Sequence, residues 1–353
     1  MDGVPGDEAT RAGGMTRTGV PAPRTDAGAV PVGAPSGAAR LAAGPSSHWA
    51  DIDGPVHYVD FGGPADGPLV VCVHGLGASF TTWWTLGPLL ARRAQVLALD
   101  LAGFGRTLPA GRGADVASNR RLLDRFLTQV CGGEPAVLVG NSMGGMISVL
   151  QAAAEPASVA GQILISPALP IPRLRPPDAS ILGMFFGMAL PKVGTVVLAR
   201  RRVRYTPAEI VWQALRRTTV DPARIPADAV AAMVALAEER TLSGAGEQSD
   251  AALVEATRSI VGTLAAPRRL AAAVAAVAAP TLLLHGRHDR LVPAATALRA
   301  ATRRPDWRVE ILDDCGHLAH LEAIDQTASL IDSWLDGVGV PAAVGQRAGL
   351  VPQ

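Results

Sequence analysis

The chain has 353 residues, 48% of them hydrophobic, enough for one large or two smaller domains with a sizeable core. A net charge of +1 supplies no field for drawing in nucleic acid or an acidic substrate, so no nucleic-acid partner is expected. Three scattered cysteines, Cys72, Cys131 and Cys315, exclude a disulfide framework; they point to a reducing compartment and a cytoplasmic location.

Residues 1–45 are rich in Gly, Ala, Pro and Ser, lack apolar periodicity, and are expected to be disordered. They hold no continuous apolar h-region of a secretory signal, and Met15 is a candidate alternative start. The tail 337–353 reads the same way. Lys192 is the only lysine, so arginine supplies every other basic side chain, a coding bias more than a set of phosphate clamps.

From His48 the pattern changes. "HWADIDGPVHYVDFG" is two short runs about Asp53-Gly54, a hairpin signal. Apolar runs that read as buried strands follow at 69–75, 95–100, 136–142 and 161–166, then at 280–286 and 307–312. Near-continuous apolar strands separated by helical segments predict an α/β fold, with a mostly parallel twisted sheet flanked by helices. The interval from Ser166 to Thr281 far exceeds what one crossover helix needs. A helical insertion over 170–275 is therefore expected between core segments 46–169 and 276–336. Thr206-Pro207-Ala208-Glu209 carries a helix start.

One corner carries chemistry. In "VLVGNSMGGMISVL", Gly140-Asn141-Ser142-Met143-Gly144 fits G-x-S-x-G, a strand–turn–helix corner that holds a serine hydroxyl out from the sheet. Glycines tolerate the backbone crowding of so sharp a turn. A serine hydroxyl is a weak nucleophile near neutral pH and needs a base, itself oriented by a third group. Asp289 in "LLLHGRHDRLVP" and His317 in "ILDDCGHLAHLE" follow the last two strands, giving the order Ser142…Asp289…His317. An oxyanion hole is expected from the main-chain N–H groups of Met143, at a helix N-terminus, and Leu76, in "VHGLGASF".

The elements "HGLG", "LALDLAGFGRT", "GNSMGG", "HGRHDRLVP" and "CGHLAHLE" stand in this order over residues 50–336, and in this the chain resembles the α/β-hydrolase superfamily. The resemblance implies a cofactor-free serine hydrolase with an inserted cap, its substrate a hydrophobic small-molecule or lipid-like ester. Relatives that open epoxides or displace halide use an aspartate where Ser142 stands. "GNSMGG" also resembles hydrolases that cleave carbon–carbon bonds of ring-fission products, although those carry "HGxGPG" where this chain has "HGLGAS". Acyl transfer, perhydrolysis, a small-molecule receptor and a pseudoenzyme scaffold stay open beside ester hydrolysis.

Other side chains compete for roles. His320 rivals His317 but falls in the following helix; Asp313, Asp314 and Asp124 rival Asp289. His74 reads as a loop-bracing histidine and Asp100 as a turn residue. Gly75-Leu76-Gly77 mimics a dinucleotide fingerprint, but Phe80 stands where the third glycine belongs. His285, His288 and Asp289 fit no common zinc spacing, and no metal is expected. "ASILGMFFGMALPKVGTVVLA" at 179–199 has the length of a membrane span but is interrupted at Pro191 and Lys192. It is expected to form cap helices, with Met184, Phe185, Phe186, Trp212 and Trp83 as candidate substrate contacts. "RRRVR" at 200–204 offers a peripheral meeting point with anionic lipid.

Overall fold

The computed structural model describes Gly3, 45–172 and 178–339. The chain divides into two units, Met1–Ala34 and Pro35–Gln353, and every element below belongs to the second. The expected disorder of 1–45, up to residue 44, the alternative start at Met15 and the tail beyond residue 339 lie outside the described residues.

Eight strands form one sheet: β1 (Ser46–Asp51), β2 (Pro55–Gly62), β3 (Leu69–Val73), β4 (Gln95–Leu99), β5 (Ala136–Asn141), β6 (Val159–Ile165), β7 (Thr281–Gly286) and β8 (Arg308–Leu312). Their spatial order is β1-β2-β4-β3-β5-β6-β7-β8. The β1–β2 and β2–β4 pairs are antiparallel and all the others parallel, as the apolar runs predict. The hairpin turns at Asp53 and Gly54, both with positive φ, the conformation a two-residue type I′ turn requires.

Helices cover both faces: α1 (Leu86–Leu90), α2 (Val116–Gln129), α3 (Met143–Ala154), α10 (Ala295–Arg303), α11 (Ala319–Glu322) and α12 (Ile324–Val338). Strand side chains alternate between two buried clusters. Leu69, Val71, Val73, Leu97 and Leu99 enter one with Phe126 and Ile147; Val70, Cys72, Val96 and Ala98 enter the other with Leu86 and Ile331. This period of two, apolar on both faces, is why the strands read as continuous hydrophobic runs. Helix α12 carries on through Gly337 to Val338, past the expected start of the tail, because Ile331, Trp334 and Leu335 anchor it to the sheet.

Between β6 and β7 lie α4 (Ala179–Ala189), α5 (Pro191–Arg204), α6 (Pro207–Thr218), α7 (Ala227–Leu242), α8 (Gly246–Ala265) and α9 (Pro267–Ala276). Thr206 starts α6 with a capping box: its hydroxyl accepts from Glu209 N–H while the Glu209 carboxylate accepts from Thr206 N–H. Arg106, beyond β4, pairs with Glu239 of α7 at 2.7 Å, and Arg240 donates to the carbonyl of Gly103 at 3.0 Å. The apolar stretch 179–199 is two helices meeting at 104°, since Pro191 opens α5 and holds Leu190 extended. Among the described residues, no single helix is long and apolar enough to cross a membrane.

Candidate active site

After β3 the chain pairs to one side through β4 and to the other through β5, so the two loops following β3 and β5 leave the sheet side by side. Such a switch point opens a crevice at the carboxyl ends of parallel strands. Ser142 stands there, between β5 and α3, with φ 53° and ψ −112°. Holding a non-glycine residue so costs about 1–3 kcal/mol and needs over-determined surroundings. Ser142 N–H donates to Ile165 O at 3.0 Å, and its own carbonyl accepts from Met146 and Ala168 N–H at 3.1 and 3.0 Å. The flanking glycines are required by contact: a Cβ on Gly144 would lie 2.0 Å from Val73 O, and one on Gly140 2.6 Å from Ser148 Oγ.

The β3 loop packs against this corner. A Cβ on Gly75 would meet Asn141 Oδ1 at 2.9 Å and Ser142 Cβ at 3.3 Å, so Leu76 follows directly beside the serine. Met143 opens α3, where main-chain N–H groups have no carbonyl a turn earlier to donate to. His74 braces the loop. Its Nδ1 donates to Gly75 O at 2.8 Å, and its Nε2 accepts from Leu101 N–H at 3.0 Å. Both nitrogens are thus committed, and burial holds its pKa down. Asp100 is a turn residue as expected: its carboxylate accepts from Phe80 N–H, Arg106 N–H and His57 Nδ1 at 2.8, 2.9 and 2.8 Å.

His317 and Asp289 meet beyond the carboxyl ends of β8 and β7. Asp289 Oδ2 accepts from His317 Nδ1 at 2.7 Å, while Oδ1 accepts from Leu291 and Val292 N–H at 2.8 and 2.9 Å. His285 Nε2 donates to Val292 O at 2.8 Å and lies 3.3 Å from Asp289 Oδ2, so this nitrogen serves the turn. Burial alone would raise the Asp289 carboxyl. The facing His317 and His285 imidazoles and their hydrogen bonds outweigh it and hold the group well below the ordinary carboxylate range.

Asn141 joins the two halves: its Nδ2 donates to Ile165 O at 3.1 Å and to His317 O at 3.3 Å. Among the described residues, Ser142 Oγ and the His317 ring share no hydrogen bond. The rival carboxylates are engaged elsewhere: Asp313 by Arg287 at 2.6 Å, Asp314 by Arg224 at 2.6 Å and Asp124 by Gln151 at 2.9 Å. His320 is in α11, fully buried, with both ring nitrogens unpartnered and its ring 4.6 Å from that of Trp83. Burial, then the neighbouring His317 charge, push its pKa down to about 3.

The expected substrate contacts divide. Trp83 is a correction: it is fully buried in the core, packed on His320, because its short 3₁₀ helix turns all four residues inward. Trp84 instead packs against the cluster of Leu215, Ile225, Ala229, Val230 and Leu321, as do Trp212 and Leu318, the neighbour of His317. Phe186 is 60% exposed, because α4 buries none of its residues, so it does not line an enclosed pocket. Met184 and Phe185 are half-buried, the sulfur of Met184 3.9 Å from Arg217 Nη1.

The sequence pattern does not single out Glu322. Its buried carboxylate accepts from the N–H groups of Gly316 (2.7 Å), Val220 (2.6 Å) and Asp221 (2.8 Å), clamping the His317 loop to the end of α6. Its position inside "HLAHLE" was the available signal.

The sequence model of the Alpha/beta hydrolase family matches residues 70–330. The Magnesium-chelatase 30 kDa subunit of Rhodobacter capsulatus is 29% identical over 86% of this chain and 95% of its own length. The pimeloyl-[acyl-carrier protein] methyl ester esterase of Aromatoleum aromaticum is 30% identical over 76% of this chain and 99% of its own. The 2-hydroxymuconate semialdehyde hydrolase of a Pseudomonas strain is 28% identical, over 76% and 86% respectively.

Proposed function

This chain belongs to the alpha/beta hydrolase family, and on that footing we propose that it is a carboxylic-ester hydrolase acting through Ser142, His317 and Asp289. The observation that carries the reading is the 2.7 Å bond from His317 Nδ1 to an ionised, buried Asp289, on a loop that Asn141 ties to the strained serine corner. With Nδ1–H spoken for, Nε2 is the nitrogen left to take a proton. In this reading Nε2 takes up its hydrogen bond with Ser142 Oγ when substrate binds, since catalytic hydrogen bonds tighten in the Michaelis complex.

In this mechanism His317 Nε2 accepts the Ser142 proton as Oγ attacks the acyl carbonyl. The Leu76 and Met143 N–H groups hold the resulting oxyanion, each worth about 3–4 kcal/mol. His317 returns the proton to the leaving alcohol, and then activates water to release the acid. The helices between β6 and β7 act as a cap whose apolar side chains favour a hydrophobic or lipid-like acyl group. No cofactor takes part. The three cysteines, all buried, suit a reducing, cytoplasmic setting.

Similarity to a methyl ester esterase supports the ester reading. Similarity to a semialdehyde hydrolase supports a second one, carbon–carbon bond hydrolysis by the same three residues. Ala78-Ser79 in the loop after β3, where that resemblance calls for Pro-Gly, favours the ester. The test is turnover of a p-nitrophenyl ester chain-length series and a vinylogous ring-fission diketone, by wild type and Ser142→Ala. Ester turnover rising with acyl length and lost in the variant is expected. Undiminished turnover in the variant, or cleavage of the diketone alone, defeats the ester reading.

A further inference from the structure

Between 179 and 204 the chain carries Lys192, Arg200, Arg201, Arg202 and Arg204 and no acidic residue. Helix α5 packs on α8 through one side. Gly194 and Leu198 are buried there, a Cβ on Gly194 would lie 2.7 Å from Val254 Cγ2, and Arg202 pairs with Asp250 at 2.8 Å. The opposite stripe, at helical spacing 193, 196–197, 200, 203–204, is apolar with a basic end. Val193, Val196 and Val197 are 46%, 48% and 50% exposed and Val203 is 91% exposed; Leu190 (57%) and Phe186 (60%) continue the surface onto α4.

A helix on the surface of a globular protein turns its polar residues outward; this one turns valines outward. The arginines of the last turn complement the helix dipole, which accounts for their position but not for the apolar stripe. Arg201 and Arg202 are engaged within the fold, by Ile210 O and Gln213 and by Asp250. Lys192 and Arg200 form no ion pair among the described residues. The pair is bent by 104°, and α5 packs on α8 through its buried Gly194 and Leu198. An apolar surface rimmed by unpaired cations, lying flat, matches the interface of an anionic membrane.

We propose that the outward face of α4 and α5 docks on an anionic phospholipid bilayer. Phe186, Leu190, Val197 and Val203 enter the headgroup–acyl boundary, and Lys192, Arg200 and Arg204 meet lipid phosphates. The inference is independent of which bond Ser142 attacks. The test is co-sedimentation of the full chain with vesicles of phosphatidylcholine plus phosphatidylglycerol, and of phosphatidylcholine alone, at low and high salt. Expected is binding to the mixed vesicles at low salt, weakened by high salt. It should fall about fivefold per cation removed in Arg200→Glu/Arg204→Glu, and about tenfold or more in Val197→Glu/Val203→Glu. Thermal melts of both variants verify that each is folded. Four results overturn the proposal: no binding to mixed vesicles, equal binding to neutral ones, undiminished binding by both folded variants, or a dimer in light scattering that Val197→Glu/Val203→Glu abolishes while vesicles bind neither form.

Discussion

The main-chain N–H of His317 donates to the carbonyl of Thr218, the last residue of α6, at 2.6 Å. The loop bearing the proposed base is thereby built onto the helical insertion. Glu322 reinforces the joint from below, and Gly316 is required by it: a Cβ there would lie 2.6 Å from Thr218 O. Rigid placement of His317 therefore depends on α6 staying in place.

Glu322→Ala should break this joint. The buried N–H of Gly316 and the partly buried N–H groups of Val220 and Asp221 lose their acceptor, so unfolding free energy should drop by about 2–3 kcal/mol in urea titration. In the folded fraction kcat should fall, since His317 loses its backing. Glu322→Gln, which keeps an acceptor oxygen, should recover part of both.

Asp289→Asn should lower kcat by about 10⁴-fold on any ester the wild type turns over, because an amide favours the wrong imidazole tautomer. The carboxyl of Asp289 is depressed in the fold, so its contribution to stability is present above the unfolded value near pH 4 and is lost as pH falls through the folded value. The stability gap between wild type and Asp289→Asn should thus be flat from neutral pH down to about 5 and close only in stronger acid. Urea midpoints across pH measure it.

His320 works in the opposite range. Its pKa, pushed down to about 3, lies below the unfolded value near 6.5, so below that value the unfolded chain binds a proton that the native state refuses. Wild-type Tm should decline as pH falls below about 6.5. His320→Phe keeps a ring against Trp83 without the proton, and its Tm should be flatter over the same interval.

Two glycine substitutions should separate contact from conformation. Gly144→Ala, with a Cβ 2.0 Å from Val73 O, should cost at least about 2 kcal/mol and displace the Ser142 corner. Gly183→Ala, in α4 with nothing within 4 Å, should stabilise by about 0.5–1 kcal/mol. Differential scanning calorimetry of the pair distinguishes the two.

Much of this was readable in one dimension. The strands, the Asp53-Gly54 hairpin, the Thr206 capping box and the Gly140–Gly144 corner each depend on side-chain period or backbone freedom within a few residues. The break at Pro191 belongs with them, for the missing N–H and fixed φ act on the spot. The residue types and order of Ser142, Asp289 and His317 were likewise present in the string.

Which carboxylate faces His317 was a tertiary outcome. Asp313 and Asp314 are nearer in sequence, yet arginines from other elements hold both, while Asp289 arrives from the neighbouring strand end. Folding likewise sent Trp83 into the core with the rest of its 3₁₀ helix and left Trp84, the residue that ends it, partly buried against the cluster that Leu318 also packs on. The three N–H groups gathered by Glu322 come from segments about a hundred residues apart. Local pattern records what a residue prefers, whereas electrostatic partnership depends on inverse distance, and only the closed fold sets those distances.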